Sequence, residues 1–387
     1  MLPQFGFTEF LLVAVVALAL FAFTAPAAVL SAVSPMVAKL RLDDLSRTGE
    51  VVGTLSAAGT VGALVGTFVT GFVLVAWIPS RLIVVLVGAA LVLWGAAMSW
   101  RQRGRPDPVA AAGVAVALGL AAATGTPCDF ESTYYCGSVE VDAEDPSLVT
   151  LRLDDLVHAR VDLDDPTHLD LRYVQLLGSV VDALPPGPLR VLHIGGGGFT
   201  LPTYIDAARP GSTSVVLEID PTLVDVAIDE LGLVTGQGID VITGDARLAI
   251  VGLETNSFDL VIGDAFASVA VPWHLTTTEF VAEIARVLDG DGVYAMNVID
   301  GGSSAFVAAE LATLAEHFDD LALVLPPQAT AQPVNQILVA GRNALPSMQL
   351  DPEAGRLADA DDVSGRVDAG LVLTDDYAPV DRLVHTR

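Results

Sequence analysis

The sequence predicts an N-terminal transmembrane α-helical region followed by a C-terminal α/β domain built on a doubly wound sheet, with a small β-sheet between them. Three observations predict it. Long uncharged apolar runs crowd into the first 125 residues. From residue 189 onward, short apolar runs alternate with segments of helical period. Between them, residues 131–163 alternate in polarity and are broken by Asp and Pro turns. The expected boundaries are 1–125 for the membrane region, 126–165 for the small sheet and 166–387 for the α/β domain.

Residues 10–38, 51–79, 82–100 and 108–124 contain no charged side chain. A span needs about 20 apolar residues, so four helices are expected. The first is long and broken near Pro26 or Pro35, and the last is short. A cleavable signal peptide is not expected, because the first run is too long and lacks a basic leader. Gly62 and Gly66 form a small-xxx-small pair that lets helices approach closely. No ionisable residue sits mid-span, which favours an anchor over a transport pathway. Segments 39–50 and 101–107 each carry three Lys or Arg, whereas residues 1–9 carry none. Positive loops inside then put both the N-terminus and the α/β domain outside, giving a multi-pass cell-membrane protein with an extracytoplasmic domain. Cys128 and Cys136, the only cysteines, lie eight residues apart just after the last run. That placement suits a disulfide in an oxidising compartment.

The charge is divided unevenly. Of 19 basic and 47 acidic residues, seven and five fall in residues 1–125, leaving 12 and 42 for the rest. A domain that acidic repels phosphate backbones, so nucleic acid is excluded as a partner, and cationic ligands such as polyamines are attracted. A general solvation adaptation would produce the same bias.

In the α/β domain the expected strands are LRVLHIG (189–195), TSVVLEID (213–220), IDVITGD (239–245), FDLVIGD (258–264) and GVYAMNVID (292–300). Helices are expected at LPTYIDAA and at 221–231, 276–289 and 303–317. LALVLP and QILVAGR close a sheet read as parallel. TTTE ahead of helix 276–289 reads as a capping box.

Ligands on such sheets bind at the carboxyl ends of the strands. Gly195, Gly196, Gly197 and Gly198 follow the first strand and open a helix, where a backbone without β-carbons admits a ligand closely. Glu218 ends the second strand, where an acid can accept both ribose hydroxyls. Asp245 ends the third, where a carboxylate can accept from an adenine amino group. No lysine follows the glycines, which argues against a triphosphate loop. The residues themselves thus point to a nucleoside site, with tight turns and surface acids as the alternative.

These segments resemble the spermidine synthase (polyamine aminopropyltransferase) family, especially its membrane-fused bacterial branch. ESTYY (131–135), LDDLVH (153–158), LRY (171–173), IGGGG, VVLEID, TGDAR and FDLVIGDAF carry the resemblance. VPWHLTTTEF (271–280) and LTDDYAPVDRL (373–383) resemble the fused branch in particular, and SPMVAKLRL with GTLSAAGTVGALVGT resembles the back of its membrane region. The resemblance implies a Rossmann-like, methyltransferase-type domain and an aminopropyl transfer from decarboxylated S-adenosylmethionine to a small amine such as putrescine. It implies that Glu218 holds the ribose, Asp245 the adenine and Gly195–Gly198 the tail of the donor. His158 falls where a glutamine usually stands near the nucleoside, Tyr173 where a tyrosine lines the amine site, and Asp264 at the first aspartate of the gate loop, the catalytic candidate. No permanently bound cofactor and no metal are expected. Membrane lipid is an expected partner, and a homo-oligomer is expected.

Two positions depart from the family pattern. Gly198 stands where the glycine loop usually carries an aspartate, and Ala267 where the gate loop carries its second. A protonated amine has no lone pair, so attack beside a sulfonium needs a base. His274, Glu279, Asp300, Asp375 and Asp376 are candidate substitutes, each read more readily as a surface or capping residue. The alternatives are another adenosyl-sulfonium-dependent transferase, such as a small-molecule methyltransferase, and a non-catalytic nucleoside- or polyamine-binding membrane protein.

Overall fold

The computed structural model describes residues 48–75, 78–103, 128–266, 271–301, 304–328 and 332–384, together with 31, 35–37 and 39. The chain divides into two compact units, Met1–Ala121 and Ala122–Arg387.

In the first unit, helix α1 (Thr48–Val69) continues through a π-helical turn, Thr70–Leu74, and helix α2 covers Ser80–Arg103. Leu64, Phe68 and Phe72 on the first, and Leu93 and Trp94 on the second, are exposed within the chain. Among the described residues one helix, Thr48–Leu74, is long and apolar enough to cross a membrane, and Leu82–Gly95 is a shorter apolar stretch. The expected span at 108–124 lies outside the described residues, as does almost all of that at 10–38.

In the second unit the small sheet is a four-stranded meander: β1 (Phe130–Glu131), β2 (Cys136–Val141), β3 (Leu148–Leu153) and β4 (Leu156–Asp162). Its acidic turns are built by side chains. Asp142 accepts from the Glu144 and Asp145 amides, and Asp162 accepts from those of Asp164 and Asp165, the local bonding for which aspartate is favoured in turns. Strand β3 buries alternate residues, Val149, Leu151 and Leu153. That face packs with Ala159 and Val161 against Phe199, Val216, Leu223 and Leu231 of the larger layer. The Cys128–Cys136 disulfide, with Cα atoms 5.4 Å apart, closes the first hairpin.

The main sheet comprises β5 (Arg190–Ile194), β6 (Thr213–Glu218), β7 (Ile239–Thr243), β8 (Phe258–Gly263), β9 (Leu288–Asp300), β10 (Asp320–Leu325), β11 (Val334–Gly341) and β12 (Arg356–Leu357). Their order is β12-β10-β11-β9-β8-β5-β6-β7. Helices α3 (Arg172–Ala183) and α4 (Thr200–Ala208) cover one face, through Leu177, Val180 and Ile205 on Val191 and Leu260. Helix α5 (Pro221–Glu230) packs beneath the small sheet. On the opposite face, α6 (Thr278–Val287) and α7 (Ala305–Leu314) set Phe280, Ile284 and Phe306 against Leu192, Val261 and Val298. Helix α8 (Ala360–Ala369) lies against α7. Burial on both faces explains why strands β5, β6 and β8 read as continuous apolar runs.

Two expectations need correcting. The sheet is not wholly parallel, because β11 runs antiparallel to both β9 and β10 and lies between them. Only residues 326–333 connect β10 to β11, which is too short for a parallel crossover and sufficient for a hairpin. The capping box is not formed either. Thr277 caps α6 without a side-chain bond to the helix. Its hydroxyl donates to Asp375 at 2.7 Å, and Glu279 accepts from the Asp375 amide at 3.0 Å.

Candidate active site

A cavity of about 490 Å³ opens at the carboxyl ends of β5, β6 and β8, roofed by the small sheet. Gly195, with φ +94°, begins the turn after β5. A side chain there would meet the Asp264 carbonyl oxygen at 2.6 Å, because the chains leaving β5 and β8 cross at this point. The glycine is required by that approach.

Glu218 ends β6 and is 5 % exposed. Its Oε2 accepts from the Gly196 amide at 2.7 Å and its Oε1 from the Asp220 amide at 2.9 Å. Burial raises its pKa, and the Asp220, Gly196 and Gly197 amides oppose the rise. Its two oxygens present the pair of acceptors that a vicinal diol needs. Asp245 follows β7 and caps the short helix Ala246–Ala249 through the Arg247 amide, at 2.8 Å. Its Oδ2 lies 3.5 Å from His274 Nε2. Both residues line the cavity.

Asp264 lies one residue beyond β8. Its Oδ1 accepts from Asn297 Nδ2 at 2.8 Å, and its carboxyl is also hydrogen-bonded to Tyr173. Burial pushes its pKa up to about 7 despite those two partners. The Tyr173 hydroxyl also reaches the His158 carbonyl oxygen, at 3.0 Å. Its own pKa lies well above the usual value, because of burial and then of the Asp264 charge. Burial lowers the pKa of the His158 imidazole.

The structure therefore brings Gly195, Gly197, Glu218, Asp245, Asp264, His158 and Tyr173 to one cavity. Gly196 contributes its amide to Glu218 instead of lining the space. Gly198 is buried and faces elsewhere, for a Cβ there would lie 2.2 Å from the Ala159 Cβ. The glycine is thus what lets β4 rest on the loop. Ala267 lies outside the described residues.

Of the substitute acids and base, only His274 lines the cavity. Asp375 pairs with Arg247 at 2.6 Å, and Glu279 is held to the Asp375 backbone. Asp300, fully buried, accepts from the Gly301 and Val307 amides at the start of α7. Asp376 is exposed in the turn Thr374–Tyr377.

The sequence assigns no role to three cavity residues, although Tyr135 lies in ESTYY. Asn297 bonds Asp264, and Asn335 bonds Asn297. Tyr135 donates to the Phe266 carbonyl at 2.8 Å, tying the small sheet to the segment after β8. Asn297 interrupts an otherwise apolar strand, GVYAMNVID, and such an interruption of a buried run is the signal that could have marked it. Among the described residues no cluster suits a metal ion.

The profile of the Methyltransferase domain family matches residues 192–296. The polyamine aminopropyltransferase of Vibrio vulnificus (strain CMCP6) is 32% identical over 178 residues, which is 45% of this chain and 58% of that protein. The chain thus spans little more than half the length of this curated relative. The crystal structure of a probable spermidine synthase from Corynebacterium glutamicum ATCC 13032 superposes with a TM-score of 0.60 at 21% identity, covering 65% of this chain and 97% of the other. The methyltransferase-type α/β fold and the resemblance read from the sequence are both borne out.

Proposed function

Given that its α/β domain is a relative of the polyamine aminopropyltransferases, we propose that this chain transfers an aminopropyl group from decarboxylated S-adenosylmethionine to a small amine such as putrescine. The observation that carries the reading is one cavity with Glu218, Asp245 and Asp264 at three strand ends. Glu218 supplies two oxygens for a ribose diol, Asp245 an acceptor for an adenine amino group, and Asp264 a base beside the acceptor amine. Three carboxylates also favour a sulfonium and an ammonium over anionic ligands.

The chemistry balances through Asp264. Its carboxylate takes a proton from the acceptor ammonium, and the freed nitrogen lone pair attacks the carbon beside the sulfonium. The C–S bond breaks and its electron pair stays on sulfur, leaving a neutral thioether. Once protonated, Asp264 can donate to the Tyr173 oxygen while the Tyr173 hydroxyl donates to the His158 carbonyl. A group titrating near pH 7 suits this task.

Asp264→Asn should retain nucleoside binding while transfer falls by about 10²–10⁴. Product formation with putrescine, cadaverine and spermidine tests this. A parent chain that binds the nucleoside and transfers to none of them refutes the reading in favour of a binder or another sulfonium-dependent transferase.

The apolar, exposed helix Thr48–Leu74 supports anchoring in a membrane, with several spans and an outward-facing domain as the topology. An alkaline phosphatase fusion after residue 126 should be active, and an inactive one would reverse that topology.

A further inference from the structure

Asp264, Asn297 and Asn335 form a chain of hydrogen bonds across three strands. The Asn335 Nδ2 donates to Asn297 Oδ1 at 3.0 Å, and Asn297 Nδ2 donates to Asp264 Oδ1 at 2.8 Å. Sheet register produces this order. Gly263 lies opposite Met296 across β8 and β9, which sets Asp264 beside Asn297. Asn335 pairs with Ile299 and Asn297 with Ile337, so the two asparagines are diagonal neighbours on one face of the β9–β11 ladder.

The direction of the chain matters. A primary amide has an oxygen side and an N–H side. If Asn297 turned over, its oxygen would face a carboxylate oxygen, and the ionised form of Asp264 would be opposed. Asn297 is 2 % exposed, so little water reaches it to correct such an orientation. Asn335 prevents the turn by engaging the Asn297 oxygen from the far side.

We propose that Asn335 is a positioning residue, which fixes the Asn297 amide so that an N–H meets Asp264 and keeps that carboxylate able to accept the proton of the acceptor amine. The inference deepens the aminopropyltransferase reading and rests on it for the role of Asp264. Asp264 is faced by Tyr173 from α3, by Asn297 from β9 and, through Tyr173, by the His158 carbonyl of β4. The other ionisable groups lining the cavity are Glu218, Asp245, His158, His274, Tyr135 and Arg172. None of them interposes in the amide chain, in which both bonds are direct.

The test is a double-mutant cycle in the full chain with Asn297→Leu and Asn335→Leu, which nearly conserve volume. Two readouts are followed. One is the titration midpoint of Asp264 in the ligand-free protein, from difference infrared spectra referenced to Asp264→Asn. The other is the acid limb of the kcat/KM profile for putrescine. Losing a hydrogen bond to the ionised form raises a carboxyl pKa. Asn297→Leu should therefore move the midpoint up by about one unit, and Asn335→Leu should move it the same way by less. The double variant should match Asn297→Leu alone, because Asn335 acts through Asn297. The acid limb should follow the midpoint, with the KM for putrescine nearly unchanged.

An unmoved midpoint in Asn335→Leu, or a shift that adds to that of Asn297→Leu, overturns the proposal. So does a rise in KM with no change in the acid limb, which would make Asn335 a substrate contact. If the parent transfers no aminopropyl group, the proposed function fails, and the infrared titration still decides whether Asn335 governs Asp264.

Discussion

Gly198→Ala tests how the small sheet is seated on the glycine loop after β5. A Cβ at this position lies 2.2 Å from the Ala159 Cβ and 3.7 Å from both the Ala159 Cα and Leu231 Cδ1. Carbon atoms in favourable contact stand about 3.5–4.0 Å apart, so Ala159 has to withdraw by more than about 1 Å. It cannot withdraw freely. Ala159 is 2 % exposed and is backed by Leu151 and Val161 in the core beneath the sheet. Overpacking of this kind costs about 1–3 kcal/mol. At about 2–4 °C per kcal/mol for a domain of some 250 residues, the melting temperature should fall by about 2–12 °C. Ala159→Gly removes the obstructing carbon, so the double variant should recover most of the loss relative to Ala159→Gly alone. Calorimetric melting of the full chain in detergent measures both. A Gly198→Ala chain melting within about 1 °C of the parent, or no rescue by Ala159→Gly, would refute the packing argument. The same geometry predicts that Gly198→Asp restores no acid to the cavity, because its side chain departs toward Ala159, and nucleoside affinity should drop.

Three further outcomes follow from the site. Glu218→Ala should weaken calorimetric binding of S-adenosylmethionine or its decarboxylated form by about 1.5–3 kcal/mol, or about 10- to 150-fold; unchanged affinity would remove Glu218 from the ribose. The Cys128–Cys136 bridge closes a loop of sequence separation eight, for which chain entropy gives about 2.5 kcal/mol. In Cys136→Ser, hydrogen exchange should therefore quicken in β1 and β2 and stay slow in β5 and β8, whereas uniform acceleration would contradict a local role. Because Asp264 binds its proton more tightly in the folded chain, at about pH 7, than at its ordinary value of 3.8, its contribution favours folding at low pH and is lost as pH rises to about 7. The fall in melting temperature between pH 5 and pH 8 should be smaller in Asp264→Asn than in the parent. An equal fall in both chains would show that Asp264 is not the proton-binding group.

The parts of the fold legible in the sequence are those where one physical demand acts alone. Strands β5, β6 and β8 are largely buried and mostly apolar, so the groups that end or follow them, Gly195, Glu218 and Asp264, stand out by contrast. Asp245 was legible from its place just after β7, although that edge strand buries only Ile239. The direction of β11 was missed because apolar runs do not encode sense. The eight-residue connection 326–333 did encode it, since no parallel crossover fits. The capping box failed because Thr277 had a stronger use, an Arg247 and Asp375 network at 2.8 and 2.7 Å. Asparagines 297 and 335 were illegible as a pair, because 38 residues separate them and only the register of β9 against β11 joins them.

The reversed strand also gives the molecule a division of labour. A parallel strand delivers its last residues to the working edge, whereas β11 delivers its first, so Pro333, Val334 and Asn335 arrive there together. Glu218 and Asp245 belong to the opposite wing of the sheet and share no strand pairing with β11. Changes at the start of β11 therefore leave the pairings of β5 with β6 and of β6 with β7 untouched. On the proposed function, variation in which amine is accepted is thereby uncoupled from retention of the nucleoside.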